Sequence, residues 1–334
     1  MKIGKRCVII MKSINPHTIL GFVCPTNEPE VAFSLLLSSM ENLKEVAPIS
    51  TFLFNFQKPW TDEQIHKAVD ICKSNGFEVR FTINSYTIKG KGLIPFNRIR
   101  ADAAKLMPEA KFFALTDDDF AYQGRNGSYR KSAGEQYIDL IYYMMKYPKC
   151  GFILMKGRFY LNDIKKYNIT PTPDLANRYL TDKGILVRNF NPAEGLLLPN
   201  SALDLLGSDE EKIICGWRLY NGFYPAAINR AKTLHYEHNN TKDLTKKVFS
   251  GEEMYAWNEK SILDDNVNKF IRENYYPDFH NRGWRVTKIV DDNDYYLAGG
   301  INLKDSDTRE NHTMDTSKLD STSLINEIIG YYLQ

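Results

Sequence analysis

Residues Lys111–Tyr122, KFFALTDDDFAY, decide how this chain of 334 residues is read. Phe112, Phe113, Ala114 and Leu115 form a short unbroken apolar run, the pattern of a parallel strand buried on both faces. Asp117, Asp118 and Asp119 follow at once, at what becomes the carboxyl edge of the sheet, where open α/β sheets bind ligands. Adjacent acids repel one another, so a fold that holds three together supplies something positive, and hard oxygen donors suit Mg2+ or Mn2+. Neighbouring side chains diverge on an extended or turning backbone, which puts Asp117 and Asp119 on one side with Asp118 pointing elsewhere, a D-x-D with a filled middle. The competing reading is a solvated acidic turn.

Composition narrows the class. A hydrophobic share of 43% with 25% charged residues suits a soluble globular protein with a substantial core. The net charge of +2 excludes a strong general attraction to nucleic acid and leaves room only for local basic patches. Five cysteines, Cys7, Cys24, Cys72, Cys150 and Cys215, are odd in number and form no C-x-x-C pair, which argues against a disulfide framework or a zinc site and for a reducing cytoplasm. The apolar run Cys7–Met11 is broken by Lys12, too short for a signal segment, and no stretch approaches the roughly 18 apolar residues of a membrane span.

The chain leading to the acids reads as strand–helix units. Residues 18–24 are a core strand, Pro25–Pro29 a turn-rich loop, and Val31–Leu43 a helix. Thr26, Asn27 and Glu28 in that loop are candidates for holding a base or ribose, against the plainer reading of a capped connection. Ser50–Phe56 is a second strand, Thr61–Gln64 a capping box opening a helix that Gly76 closes, and Phe77–Ile83 a third strand. Asn97–Met107 is a helix whose Arg98 and Arg100 are suited to neutralising a diphosphate or the acids themselves.

Beyond the acids, Ser132–Glu135 is a second capping box, its helix ended by Pro148, and Gly151–Gly157 is another buried strand. A polar, basic region carries Lys156, Arg158, Lys165, Lys166, Arg178, Lys183 and Arg188, and a strand is expected over Arg188–Pro199. A helix begins at Asp209-Glu210-Glu211, where its dipole favours acids, and closes near Arg218 and Gly222. Ala226–Leu234 is strand-like and leads into His235-Tyr236-Glu237-His238, either imidazole of which suits a metal site otherwise made of carboxylates. Residues 304–323 look loosely packed or disordered, and Leu324–Leu333 is a small docking helix.

Taken in order, these features resemble the nucleotide-sugar-dependent glycosyltransferases of the GT-A fold, particularly the large inverting family 2. The resemblance rests on the strand–loop–helix opening with Thr26-Asn27-Glu28, the Arg98/Arg100 helix before Leu115-Thr116-Asp117-Asp118-Asp119, the acidic helix start with Arg218 and Gly222, and a late histidine, His235 or His238. It covers roughly residues 18–240 and implies an α/β fold with a mixed, mainly parallel sheet flanked by helices. It also implies a catalytic domain over 1–240, with a donor half 1–122 and an acceptor half 123–240, and a partly helical C-terminal extension over 241–334.

The same resemblance sets Asp117 and Asp119 at the ribose and at the Mn2+ or Mg2+ bridging the donor diphosphate. Asp118, the arginines and Arg218 join the donor contacts, and Asp209, Glu210 or Glu211 becomes the general base. The expected donor is a UDP-sugar, and the enzyme a hexosyl- or pentosyltransferase. The acceptor is a glycan or, as in phage enzymes that decorate hydroxymethylated cytosine, DNA in the host cytoplasm. A sugar nucleotidyltransferase and a non-catalytic nucleotide-binding protein are the alternatives, the former lacking any glycine-rich, lysine-bearing phosphate loop after the first strand.

Overall fold

Strand β1, Leu20–Thr26, lies inside a nine-stranded sheet and pairs in parallel with β2, Ser50–Gln57, on one side and with β4, Phe112–Leu115, on the other. The computed structural model describes residues 18–57, 59–84, 103–125, 131–157, 181–189, 224–228, 233–235, 296–302, 308–317 and 319–333. Strand β3, Glu78–Asn84, extends the parallel set beyond β2. Past β4 come β7, Thr181–Arg188, antiparallel to it, then β6, Cys150–Gly157, and β8, Tyr224–Ile228. Strands β10, Tyr296–Asn302, and β11, Thr308–Asp315, close that edge. Only β7 and β10 run against the rest, so the sheet is mixed and mainly parallel, as the continuous apolar strands imply. A separate ribbon joins β5, Phe120–Tyr122, to β9, Thr233–His235.

Adjacent residues of β1 bury opposite faces, and both are filled. Phe22 stacks on Phe52 at 4.5 Å and meets the edges of Phe77 and Tyr137 at 6.1 and 5.0 Å. Tyr137 comes from helix α3, Ala133–Lys146, following α1, Pro29–Ser34, and α2, Asp62–Ser74. On the other face Gly21 has no room for a side chain: a Cβ there would lie 2.7 Å from Met107 and 2.8 Å from Phe113. Each aromatic ring buried in this way contributes about 1.5–3 kcal/mol, and edge or stacked pairs add to it.

Both capping boxes form: Thr61 accepts from the Gln64 amide at the start of α2, and Ser132 from the Glu135 amide at the start of α3. Gly76 follows α2 with φ +86°, the left-handed conformation that glycine takes without strain. The helix expected over Val31–Leu43 instead breaks after Ser34 into a 3-10 segment, Leu37–Leu43. Serine hydroxyls cause this: Ser34, Ser38 and Ser39 each donate to a carbonyl three or four residues back, competing with the backbone ladder. Strand β7, with Ile185, Leu186 and Val187 buried, ends at Arg188, and residues 190–199 of the strand expected over Arg188–Pro199 lie outside the described residues. The strand expected over Ala226–Leu234 is two strands in different sheets, β8 and β9.

The C-terminal residues bind tightly to this body. Strand β11 occupies much of the span 304–323 that reads as loosely packed, because its backbone pairs with β10. Helix α4, Ser321–Tyr332, is the expected docking helix; it is capped by Asp320 and rests on α3. Beside it, Lys131 Nζ lies 2.7 Å from both carboxyl oxygens of Asp139, which also hydrogen-bonds Thr316. All three residues are buried. Burial pushes the Asp139 carboxyl up to about 7 although Lys131 and Thr316 pull it down. That value exceeds the roughly 3.9 of an unfolded Asp, so this group's contribution to stability is full below about pH 4 and is lost as pH rises through about 7. Lys131→Met leaves the Asp139 charge without its cation and is expected to destabilise the fold by about 3–5 kcal/mol at pH 8 in urea unfolding. At pH 5, where Asp139 holds its proton, the loss shrinks; an equal loss at both pH values contradicts the pairing.

Candidate functional site

The carboxyl ends of β1 and β4 lie side by side, since Val23 pairs with Leu115. Strands β1, β2 and β3 succeed one another on one side of this seam and β4 lies on the other, so the seam is the topological switch point of the parallel sheet. Two stretches leave the sheet there, Thr26–Glu28 and Thr116–Asp119. The acids form a turn, in which the Phe120 amide donates to the Asp117 carbonyl at 3.3 Å. The turn is not solvated: Asp118 is 9% and Asp119 6% exposed, and Asp117 is half-buried.

Asp118 turns toward β1. Its Oδ2 accepts the Thr26 hydroxyl at 2.7 Å and the backbone amides of Asn27 and Glu28 at 3.3 Å each. The middle acid is thus held against the loop by these three donors. The loop's amides at Asn27 and Glu28 are engaged by a protein carboxylate, so the accessible chemistry of the loop lies in the half-buried Asn27 and Glu28 side chains. Burial first, and then the charge of Asp119, push the Asp118 carboxyl up to about 8, against the Thr26 hydroxyl, which lowers it. Cys24, fully buried beneath the acids, is pushed well above the usual thiol range by burial and by Asp118, which makes it inert as a nucleophile.

After the turn, β5 is fastened on both sides. Tyr122 shares a 2.6 Å hydrogen bond with the Thr116 hydroxyl, its amide donates to Ser39 Oγ at 2.9 Å, and its carbonyl accepts from Asn42 at 2.8 Å. Strand β9 sets His235 in register with Phe120, the residue after Asp119, so one of the two candidate histidines is brought to the acids by backbone pairing. Arg98, Arg100, Asp209, Glu210, Glu211, Arg218 and His238 lie outside the described residues.

Two polar residues that sequence reading passed over stand next to the loop. Asn55 and Gln57, both buried, end β2 opposite Pro25 and just past Thr26. Gln57 donates to Asn55, which donates to the Thr82 hydroxyl of β3 at 2.6 Å. Their signal is in the sequence: two amides interrupt the aromatic run Phe52, Phe54, Phe56 at the carboxyl end of a strand.

Among the described residues no group of three or more His, Cys, Asp or Glu is gathered as a metal cage. The orientation of Asp118 explains part of this, since it removes the middle carboxylate of the triplet. The donor set still suits a hard dication, because buried carboxyl oxygens under mutual repulsion gain from a positive charge.

No protein-family model and no curated protein matches the chain. Solved structures with some likeness include S. aureus TarS 1-349, at 11% identity and TM-score 0.44 over 81% of this chain and 75% of that one. A longer S. aureus TarS matches at 13% and TM-score 0.45, over 81% of this chain but 46% of that one. A mannosyltransferase, PcManGT from Pyrobaculum calidifontis in complex with GDP-Man and Mn2+, matches at 11% and TM-score 0.38, over 66% of this chain and 57% of that one. These are likenesses of partial chain course.

Repulsion within the acidic turn costs stability that a functional site tolerates. Asp119→Asn is expected to stabilise the metal-free fold by about 0.5–2 kcal/mol in thermal or urea unfolding. A clear loss of stability instead makes Asp119 a structural residue.

Proposed function

We propose that this chain is a nucleotide-sugar-dependent glycosyltransferase of the GT-A type, moving a hexosyl or pentosyl group from a nucleoside-diphosphate sugar, UDP-sugar foremost, to an acceptor hydroxyl with inversion. The observation that carries it is the buried acidic turn at the switch point of the parallel sheet, tied to the Thr26–Glu28 loop. That crevice is where a sheet of this kind receives a nucleotide, and acids there have no use in holding a bare diphosphate, which they repel. They become useful once a cation stands between.

In this reading Asn27 and Glu28 meet the base or ribose, and Asp117 reaches the ribose and the metal. Asp119 holds Mn2+ or Mg2+ with His235 or His238. The dication, when bound, neutralises charge on the leaving diphosphate. Arg98, Arg100 and Arg218 serve the same phosphates by forked hydrogen bonds. One of Asp209, Glu210 and Glu211 takes the proton from the acceptor hydroxyl, a role worth about 10²–10⁴-fold in rate. The acceptor is a glycan or hydroxymethylated cytosine in DNA, the basic stretches at Lys89–Lys91, Arg125–Lys131 and Lys156–Arg188 favouring a polyanion. A cytoplasmic setting agrees with Cys24, Cys72 and Cys150 being buried free thiols. Residues 1–240 form the catalytic region, which the C-terminal strands and helix complete.

A thermal-shift panel of nucleotide sugars with and without Mn2+ tests the donor. A cognate donor at 100 times its Kd adds about 2.7 kcal/mol of stability, and only with the metal present. Turnover is expected to release nucleoside diphosphate and to vanish in excess chelator and in Asp119→Asn. Release of pyrophosphate from a nucleoside triphosphate and a sugar phosphate points to nucleotidyl transfer, and undiminished turnover in chelator removes the metal from the reaction. Activity on hydroxymethylated DNA should fall steeply with salt, whereas activity on a neutral glycan should not.

A further inference from the structure

The middle acid of the triplet does something its neighbours do not. One oxygen of Asp118 gathers three donors from a loop 90 to 92 residues earlier in the chain: a hydroxyl at 2.7 Å and two consecutive amides at 3.3 Å. Thr26 is 1% exposed and Asp118 9%, so water cannot readily stand in for either partner. Those amides belong to the residues just before α1, whose first turn begins at Pro29 and provides no amide of its own there. We propose that Asp118 is a positioning residue: it fastens the Thr26–Glu28 loop to the acidic turn and thereby sets where the Asn27 and Glu28 side chains meet the nucleotide, without itself touching donor or metal.

This inference rests on the donor reading above. It reassigns Asp118 from donor contact to support, and it links the two halves of the site, since any shift of the acidic turn pulls the loop by a buried hydrogen bond. A carboxyl group suits the task because a single oxygen, with two lone pairs, accepts several N–H and O–H donors at once, whether or not the other oxygen holds a proton. The isosteric amide keeps one such acceptor oxygen, so Asn at this position retains the tie while giving up the acid.

The test uses the full chain with UDP and Mn2+ as probes. In Asp118→Ala, amide exchange of the peptide covering residues 25–30 is expected to speed up at least tenfold and UDP affinity in Mn2+ to fall about tenfold, with affinity for Mn2+ alone within twofold of wild type. Asp118→Asn is expected to restore loop protection and UDP affinity to within about threefold. Thr26→Val, which removes only the shortest of the three bonds, gives an intermediate loss of about threefold and serves if the alanine variant does not fold. Unchanged UDP affinity in Asp118→Ala overturns the proposal. So does loss of Mn2+ affinity in Asp118→Asn, which would make Asp118 a metal ligand. A wild-type chain that binds no nucleoside diphosphate at all refutes the donor reading itself, a different outcome from a wild type that binds and a variant that binds equally well.

Discussion

The parallel register of β1 and β4 is the constraint on which the rest depends. Pairing Val23 with Leu115 brings the loop after one strand and the acids after the other to the same edge, and the buried bond from Thr26 to Asp118 locks them there. That register is itself held by packing on both faces. Gly21 admits Met107 and Phe113 on one side, while Phe22, stacked between Phe52 and the edge of Tyr137, fills the other. A one-residue slip would exchange these faces, driving a phenylalanine into the space that only glycine leaves open. The aromatic core and the chemical edge are therefore settled by one alignment.

The site is expensive in electrostatic terms. Three consecutive carboxylates, two of them almost fully buried, share a turn above a fully buried Cys24. The fold relieves the middle one by a hydroxyl and two amides. It surrounds the turn with fixed partners: β5 is tied through Tyr122 to Thr116, Ser39 and Asn42, and β9 brings His235 alongside. A turn so held keeps its acids at a fixed place on the sheet edge, which is what the proposed cation site requires. The buried Lys131–Asp139 pair differs in purpose. It is closed and satisfied within the protein, and it secures the C-terminal segment to α3.

Much of this was legible in the residues. The apolar run Phe112–Leu115 announced a strand buried on both faces, the two capping boxes announced α2 and α3, and Gly76 announced a helix end, because each is a local rule with a local cause. The displaced parts had non-local causes. The helix expected after β1 from its apolar spacing stops at Ser34 and gives way to 3-10 geometry among back-bonding serines. Strand β7 shows three buried apolar residues among its described side chains and draws its definition from β4 and β6 on either side. Strands β10 and β11 depend on pairing with β8 and with each other, which no local pattern in 296–315 reveals. Within the site, the acids and the Thr26–Glu28 loop were legible as chemistry, and their separation in sequence hid the bond between them. Asn55 and Gln57 were visible only as polar interruptions in an aromatic strand.

The most direct measurement is anomalous scattering from crystals of the chain grown with Mn2+ and UDP. The account predicts a manganese peak at the acidic turn, ligated by carboxylate oxygen of Asp117 or Asp119 and by the diphosphate, with the nucleoside against Asn27 and Glu28 and Asp118 still bonded to Thr26. A nucleotide bound elsewhere, or a β4 edge with the acids facing solvent and no metal beside them, contradicts it.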